Sequence, residues 1–291
     1  MSVRLGFKTS PQRVDWRTLD ETWALAGELE VFSSGWLNDH LTDTDPDAPG
    51  PSFEGLTVLA TLVHRVPGKE VGHAVLSNTF RHPVLVAKAA IALDHATDGR
   101  FLLGLGAGWF EAEHAPFGIP LPPIGERIDR LISAAETIRA LFSPEATTPT
   151  GVHRPDPFYP LAGATNLPPP IRPGGPPLIL GGQKRRGIEL AARLGAGWVL
   201  PGVNAGDVAY FLARRDEVLR AIDAAGRDPT GFRFLGVVHV SDAPGSMRAG
   251  LEAARAMVRG GATDIIVGIP AAGGPDLLAL AAREVAEPLL G

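Results

Sequence analysis

The chain has no cysteine. That removes disulfides, thiolate metal sites, iron–sulfur clusters and cysteine nucleophiles together. It also has no basic surplus: 27 Lys+Arg stand against 32 Asp+Glu, for a net charge of −5. Nothing in that balance calls for nucleic acid or an anionic membrane as a partner. No apolar run approaches the roughly 18 residues of a membrane span. The first residues form no charged-then-apolar leader, so a cytoplasmic protein is expected. Lysine is confined to Lys8, Lys69, Lys88 and Lys184. No G-x-S-x-G elbow and no Walker A sequence occurs, which sets aside the hydrolase and P-loop readings. Glu111, Glu113 and His114 lie close together, but outside any HExxH or paired-ligand spacing, so no metal is expected.

What the chain has in excess is 35 Gly and 27 Pro among 291 residues, well above the usual shares of about 7% and 5%. Hydrophobic residues at 45% and charged residues at 20% mark a folded chain. The length fits two ordinary domains or one α/β barrel.

Apolar spacing predicts strands at 3–7, 34–37, 70–76, 101–106, 178–180, 198–200, 232–240 and 264–267. Helices are expected at 15–29, 53–66, 83–97, 124–142, 185–194, 207–224, 246–259 and 276–290. In the second helix Leu56, Leu59, Ala60 and Val63 form one stripe. Pro83 suits a first helical position, and Ser246 an N-cap. Eight β–α alternations predict a single-domain (β/α)8 TIM barrel over 1–291. An open doubly wound sheet is the alternative. The long stretch 143–177 is irregular, with nine prolines in 155–177, and is the candidate lid.

In such a barrel the chemistry sits where strands end. That rule selects Lys8, Asn38-Asp39-His40, Ala74 to Asn78, Ala107 to His114, Gly181 to Lys184, Pro201 to Asn204, Ser241-Asp242 and Ile269-Pro270. Gly104-Leu105-Gly106-Ala107-Gly108-Trp109 has Trp109 where a dinucleotide fingerprint needs its third glycine, so a Rossmann site is not read there. Its glycines still let a flat ligand approach the backbone; a plain βα turn is the alternative. Gly181-Gly182-Gln183-Lys184-Arg185 follows a strand and opens a helix, the setting of a phosphate cradle, with Lys184, Arg185 and Arg186 adding charge. A glycine-rich turn with solvated basic residues is the plainer reading. Asp39-His40 could orient and tune an imidazole for proton transfer, or be a turn Asp and a surface His. Arg81-His82-Pro83 reads as a basic loop before a helix. Lys8 could form a Schiff base if desolvated.

With these residues in place, the chain resembles the bacterial luciferase-like monooxygenase superfamily, and within it the oxidoreductases that use the deazaflavin coenzyme F420. The resemblance is carried by Asp39-His40, Val71 to Leu76, Phe80 to Pro83, Ala87-Lys88, Leu93-Asp94, Asp98 to Phe101, Gly104 to Trp109, Glu113-His114, Phe117-Gly118, Gly125 to Arg127, Pro176 to Gly182 and Gly197-Trp198. It implies a barrel whose mouth holds F420, with FMN as the alternative cofactor. It implies a cis peptide at Ala74–Val75, backing the ring, and the cofactor phosphate at Gly181, Gly182 and Gln183. Asp39 would bond the cofactor head, and His40 would be the acid or base at the substrate. Gly106, Ala107 and Gly108 would line the ring, and Lys184 and Arg185 would meet the anionic tail. Sugar-phosphate dehydrogenases of the family carry a carboxylic acid where this chain has Trp109, which points to a less polar substrate. The expected function is hydride transfer between F420 and a small organic substrate. An FMN monooxygenase or a non-catalytic flavin binder is the alternative. The partner is a small molecule, and a homodimer is compatible with the sequence.

Overall fold

The computed structural model describes residues 3–45 and 50–291. In chain order it runs β1 (Arg4–Thr9), α1 (Trp16–Glu28), β2 (Ser34–Leu37), α2 (Gly55–Leu62), β3 (Glu70–His73), β4 (Leu76–Ser77), α3 (Pro83–Ala96) and β5 (Phe101–Gly106). Then come α4 (Ile124–Leu141), β6 (Val152–Arg154), β7 (Leu161–Ala164), β8 (Leu178–Leu180), α5 (Arg185–Leu194), β9 (Gly197–Val199) and α6 (Val208–Ala224). The chain ends with β10 (Arg233–His239), α7 (Ser246–Arg259), β11 (Asp264–Gly268), α8 (Gly274–Ala281) and α9 (Glu287–Leu290). The main sheet runs β3-β2-β1-β11-β10-β9-β8-β5-β4, and a β3–β5 pairing closes it. β3 and β4 are halves of one barrel strand, broken at a cis Ala74–Val75 bond. The result is the expected (β/α)8 barrel, and closure excludes the open sheet.

Successive strand residues face opposite ways. Phe7 points outward and meets Trp23 of α1 edge-on, with ring centroids 4.9 Å apart. Gly6 points inward: a Cβ there would lie 2.5 Å from Ser34 Oγ and 2.8 Å from Trp36 Nε1. By the same alternation Arg4 and Lys8 point inward. Arg4 joins Asp264, Arg233 and Glu70 in a charged layer at the N-terminal end, with Arg4 Nε donating to Asp264 Oδ1 at 2.9 Å and Arg233 Nη1 to Glu70 Oε1 at 3.0 Å. Trp36 fills the middle, fully buried.

Helix starts follow local chemistry. Asp15 caps α1 by accepting from Thr18 N at 3.0 Å, and Pro83 takes the first position of α3. The expected Ser246 cap is corrected. Gly245 occupies the cap position with φ +82°, and Ser246 Oγ instead accepts from Ser241 N at 2.9 Å. The helix expected at 53–66 tightens into a 3-10 turn at Val63–Arg65. The last helix is interrupted by a π turn at Ala282–Ala286, just before Pro288, which has no N–H to carry on the ladder.

The stretch 143–177 is not structureless. β6 and β7 pair as an antiparallel hairpin. The segment follows α4, so it leaves from the end of the barrel opposite the site. It is fastened along the outside of α3 and α4. Asn166 Nδ2 donates to Leu141 O at 3.0 Å, Arg154 Nη1 to Thr137 Oγ1 at 3.0 Å, and Arg172 Nη2 to Asp94 Oδ1 at 3.0 Å. The stretch is a strap along these helices, and Tyr159 on it meets His82 at the start of α3, with ring centroids 5.2 Å apart. Among the described residues no helix is long and apolar enough to cross a membrane.

Candidate functional site

The C-terminal strand ends form a cup floored by Val75. A Cβ on Gly106 would lie 2.6 Å from Val75 Cγ2, and one on Gly181 would lie 3.5 Å from both Val75 methyl groups. Val75 thus sits against the ends of β5 and β8; at Gly106 only glycine leaves room, while a Cβ at Gly181 would make ordinary contact. Ala74, Val75 and Ala107 are all half-buried. Gly108 has φ +77°, a conformation in which L side chains are strained. A Cβ there would also crowd Ser77 Oγ and Thr79 Oγ1, each at 2.7 Å. Arg127, from the first turn of α4, donates to the Gly108 carbonyl at 2.7 Å and holds this turn in place.

Beside the cup, α5 opens without a side-chain cap at Lys184. Its first amides have no intrahelical acceptor. Gly182 packs against Gly187 so closely that a Cβ would come within 2.5 Å of backbone carbon. The Gly182 carbonyl accepts from Trp198 Nε1 at 2.7 Å, and the Gln183 carbonyl from Arg214 Nη1 at 3.2 Å. Gln183 Oε1 also accepts from Tyr210 at 3.3 Å. With its carbonyls occupied and its helix end uncapped, this loop turns donors toward the place where the anion cradle is expected. Two of the cations expected to serve it turn elsewhere. Arg185 pairs with Glu189 at 3.4 Å, and Arg186 pairs with Asp129. Lys184 is exposed.

His40 lies past β2, and Nδ1 is 3.0 Å from both oxygens of Glu113. Glu113 is buried and also accepts from Leu41 N at 2.9 Å. A carboxylate accepts only, so Nδ1–H donates to it and Nε2 is left as the proton-handling nitrogen. The His40 side chain is 15% exposed, and its ring meets Trp109 and Phe110 edge-on at 5.9 and 6.3 Å. This is an oriented acid–base dyad with an aromatic wall.

Asp39 is fully withdrawn from solvent and takes three bonds. Ser77 N and Arg81 Nη1 donate to Oδ2, and Arg81 Nη2 to Oδ1, each at 2.7 Å. Asp39 and His40 thus face different partners, and Asp39 anchors the strand just past the break at Val75. Arg81 pairs with Glu54 as well. Burial works against the Arg81 charge, but the Asp39 and Glu54 carboxylates raise its pKa above the usual range. Burial likewise opposes ionisation of Glu54, and bonds from Thr57 and Arg81 hold it down at about 2. A relay runs behind this anchor. His114 Nδ1 lies 2.7 Å from Phe110 O, Nε2 lies 2.8 Å from Thr79 Oγ1, and Thr79 Oγ1 lies 2.7 Å from Ser77 Oγ.

Glu113 and Arg81 are the functional partners that motif reading misses. Glu113 stands in a visible acidic cluster, but its partner is 73 residues away, and Arg81 meets Asp39 across 42 residues. Position at a strand end singled out Glu113, and the family resemblance took in both residues, but neither signal named their partners.

A model of the luciferase-like monooxygenase family matches residues 6–287. The chain is 31% identical over 219 residues to the F420-dependent glucose-6-phosphate dehydrogenase of Kribbella flavida, covering 71% of this chain and 64% of that one. It is 32% identical over 211 residues to the F420-dependent hydroxymycolic acid dehydrogenase of Mycobacterium tuberculosis, covering 71% and 54%. The aligned part thus spans less than two thirds of either relative. In structure it superposes over its full length on an F420-dependent secondary alcohol dehydrogenase, with a TM-score of 0.80 at 17% identity. The coenzyme F420 dependent tetrahydromethanopterin reductase of Methanopyrus kandleri gives the same TM-score, 0.80, at 15% identity over 100% of both chains.

Proposed function

The chain belongs to the luciferase-like monooxygenase family, and from that membership we propose that it is an oxidoreductase moving hydride between coenzyme F420 and a small organic substrate. The observation that carries this reading is the His40–Glu113 dyad set beside a cup floored by Val75. The F420-dependent relatives support the choice of cofactor.

The residues present fit such a group. Gly106 leaves bare a backbone that a Cβ would crowd, and the uncapped start of α5 offers donors to a phosphate. Val75, Gly106, Ala107 and Gly108 would back and edge the ring. Gly181, Gly182 and Gln183 would take the phosphate, and Lys184 the anionic tail. When bound, the deazaflavin supplies a hydride-accepting carbon in place of flavin N5 and reacts little with oxygen.

The protein's part is position and proton handling. His40 Nε2 takes the proton from a substrate hydroxyl in oxidation, or returns it to a carbonyl oxygen in reduction. Glu113 holds the ring in one tautomer and balances the charge His40 gains. Asp39 and Arg81 act one step further back, fixing Ser77 and with it the Val75 floor. Trp109, Phe117, Ile124 and Val203, all more than half exposed, put large apolar surface on the loops at the mouth. A substrate with an apolar body suits that rim.

The test is titration of the purified protein with F420 and with FMN, followed by fluorescence at fixed salt. F420 is expected to bind at least tenfold more tightly, and substrate-driven reduction of bound F420 should follow. Tighter FMN binding would move the protein to the oxygen-using reading. Binding without reduction by any alcohol would leave a carrier.

A further inference from the structure

The dyad and cradle leave one buried charge at the mouth unused. Lys8 stands next to the end of β1, is 6% exposed, and makes no side-chain hydrogen bond or ion pair among the described residues. Each of the barrel's other inward or buried cations has a carboxylate: Arg4 and Arg233 share Asp264, and Arg81 has Asp39. Next to Lys8 in register stands Gly268, with no side chain to offer.

The ring of His239, at the end of β10, shares the same space. A Cβ on Gly202 would lie 3.7 Å from His239 Cε1 and 3.8 Å from Lys8 Nζ. A Cβ on Gly268 would lie 2.5 Å from His239 Cδ2. Gly268 thus lets the imidazole pack against the β11 backbone, and beside Gly202 there is a position at contact distance from both an ammonium and an imidazole. Burial lowers Lys8 to about 8. His239 is exposed to the mouth, and desolvation of its ring together with the neighbouring Lys8 charge lowers its pKa below the ordinary 6.5. At neutral pH that position therefore faces one cation and one uncharged ring, and no acid perturbs either. A buried cation without a counter-charge is costly unless something supplies one.

Which ligand supplies it follows from the order of strands. Val75, Gly106 and Gly181 belong to β4's approach, β5 and β8. Lys8, His239 and Gly268 belong to β1, β10 and β11, the opposite arc of the barrel. The side that faces the cofactor slot is therefore not the side that holds the free cation. We propose that Lys8 and His239 form an oxyanion pocket that binds a carboxylate of the substrate, placed opposite the cofactor slot. The identity of that ligand as substrate rests on the hydride-transfer reading; the pocket itself does not.

The test uses formate as probe on the cofactor-free protein, read by the His239 Cε1–H resonance in NMR. At pH 7 formate should move that resonance saturably. In Lys8→Met the shift should vanish or need at least tenfold more formate, and Lys8→Arg should restore part of it. In the wild type, raising the pH to 9.5 should weaken formate binding roughly thirtyfold as Lys8 loses its proton. That pH series stands even if Lys8→Met fails to fold. No saturable shift at pH 7, or an equal response with Lys8 replaced or deprotonated, overturns the proposal. F420 titration of the same samples reports on the hydride reading independently.

Discussion

The two ends of the barrel use the same strands to opposite effect. At the N-terminal end β1 presents Arg4, β11 Asp264 and β10 Arg233, and each charge is answered. Four residues further along β1 and β11, in the same register, stand Lys8 and Gly268. The cation is repeated and the carboxylate is not. Closed ion networks belong to the end that holds the fold together, and open ones to the end that meets a ligand. The mouth repeats the contrast within itself. Asp39 is consumed by Arg81 and Ser77, whereas His40 keeps one ring nitrogen for work.

The comparison breaks first at the working end. His40→Ala should lower kcat by about 10²–10⁴ while F420 binding, read by fluorescence, is kept. Unchanged turnover would remove His40 from the chemistry. At the other end, Asp264→Ala leaves Arg233 with Glu70 alone and takes the partner of Arg4, and should cost about 1.5–3 kcal/mol in urea unfolding, with little effect on cofactor affinity in the fraction still folded. A small loss would mean that the lower layer is solvated rather than structural. Glu113→Gln keeps the shape but weakens the hold on the His40 tautomer, so kcat should fall about 10- to 100-fold. A fall in stability alone would demote Glu113 to packing.

The sharpest contrast is that removing a charge from the mouth should help the empty protein. The folded Lys8 pKa of about 8 lies below the ordinary 10.5. Below pH 8 folding must bury the charge, and between 8 and 10.5 the unfolded chain keeps a proton that the folded chain has released. Wild-type stability therefore climbs with pH through that window. Lys8→Met should be about 2–3 kcal/mol more stable at pH 7, and its advantage should disappear above pH 10.5. Smaller still is His239. Its pKa falls from 6.5 to about 4, so the wild type loses stability as pH drops through that range, because the unfolded chain takes up a proton first. His239→Gln should flatten that loss in denaturation curves at pH 7 and pH 4.5, and because the ring is exposed the effect is small.

Much of this was legible beforehand, for local reasons. Strand ends placed Lys8, His40, Val75, Gly106 and Gly181 at one end of the molecule without any knowledge of contacts. Pro83 and Asp15 announced helix starts through their own backbone chemistry. Reading failed where an outcome depended on a distant residue. Ser246 looked like a cap until Ser241 claimed its oxygen. The proline-rich stretch looked like a lid because its composition excludes helix. Its attachment to α3 and α4 depends on Arg172 finding Asp94, which is 78 residues away in sequence.

The sequence alone determined the eight alternations of strand and helix, the glycines at the mouth and the absence of any thiol. These are properties of spacing and composition, and they act over a few residues at a time. The tertiary structure alone decided that His40 would have Glu113, that Asp39 would be spent on Arg81, and that Lys8 would have no counter-charge. Closing a barrel brings together side chains far apart in the chain. A charge becomes structural or functional only when it is known whether the opposite charge arrives beside it.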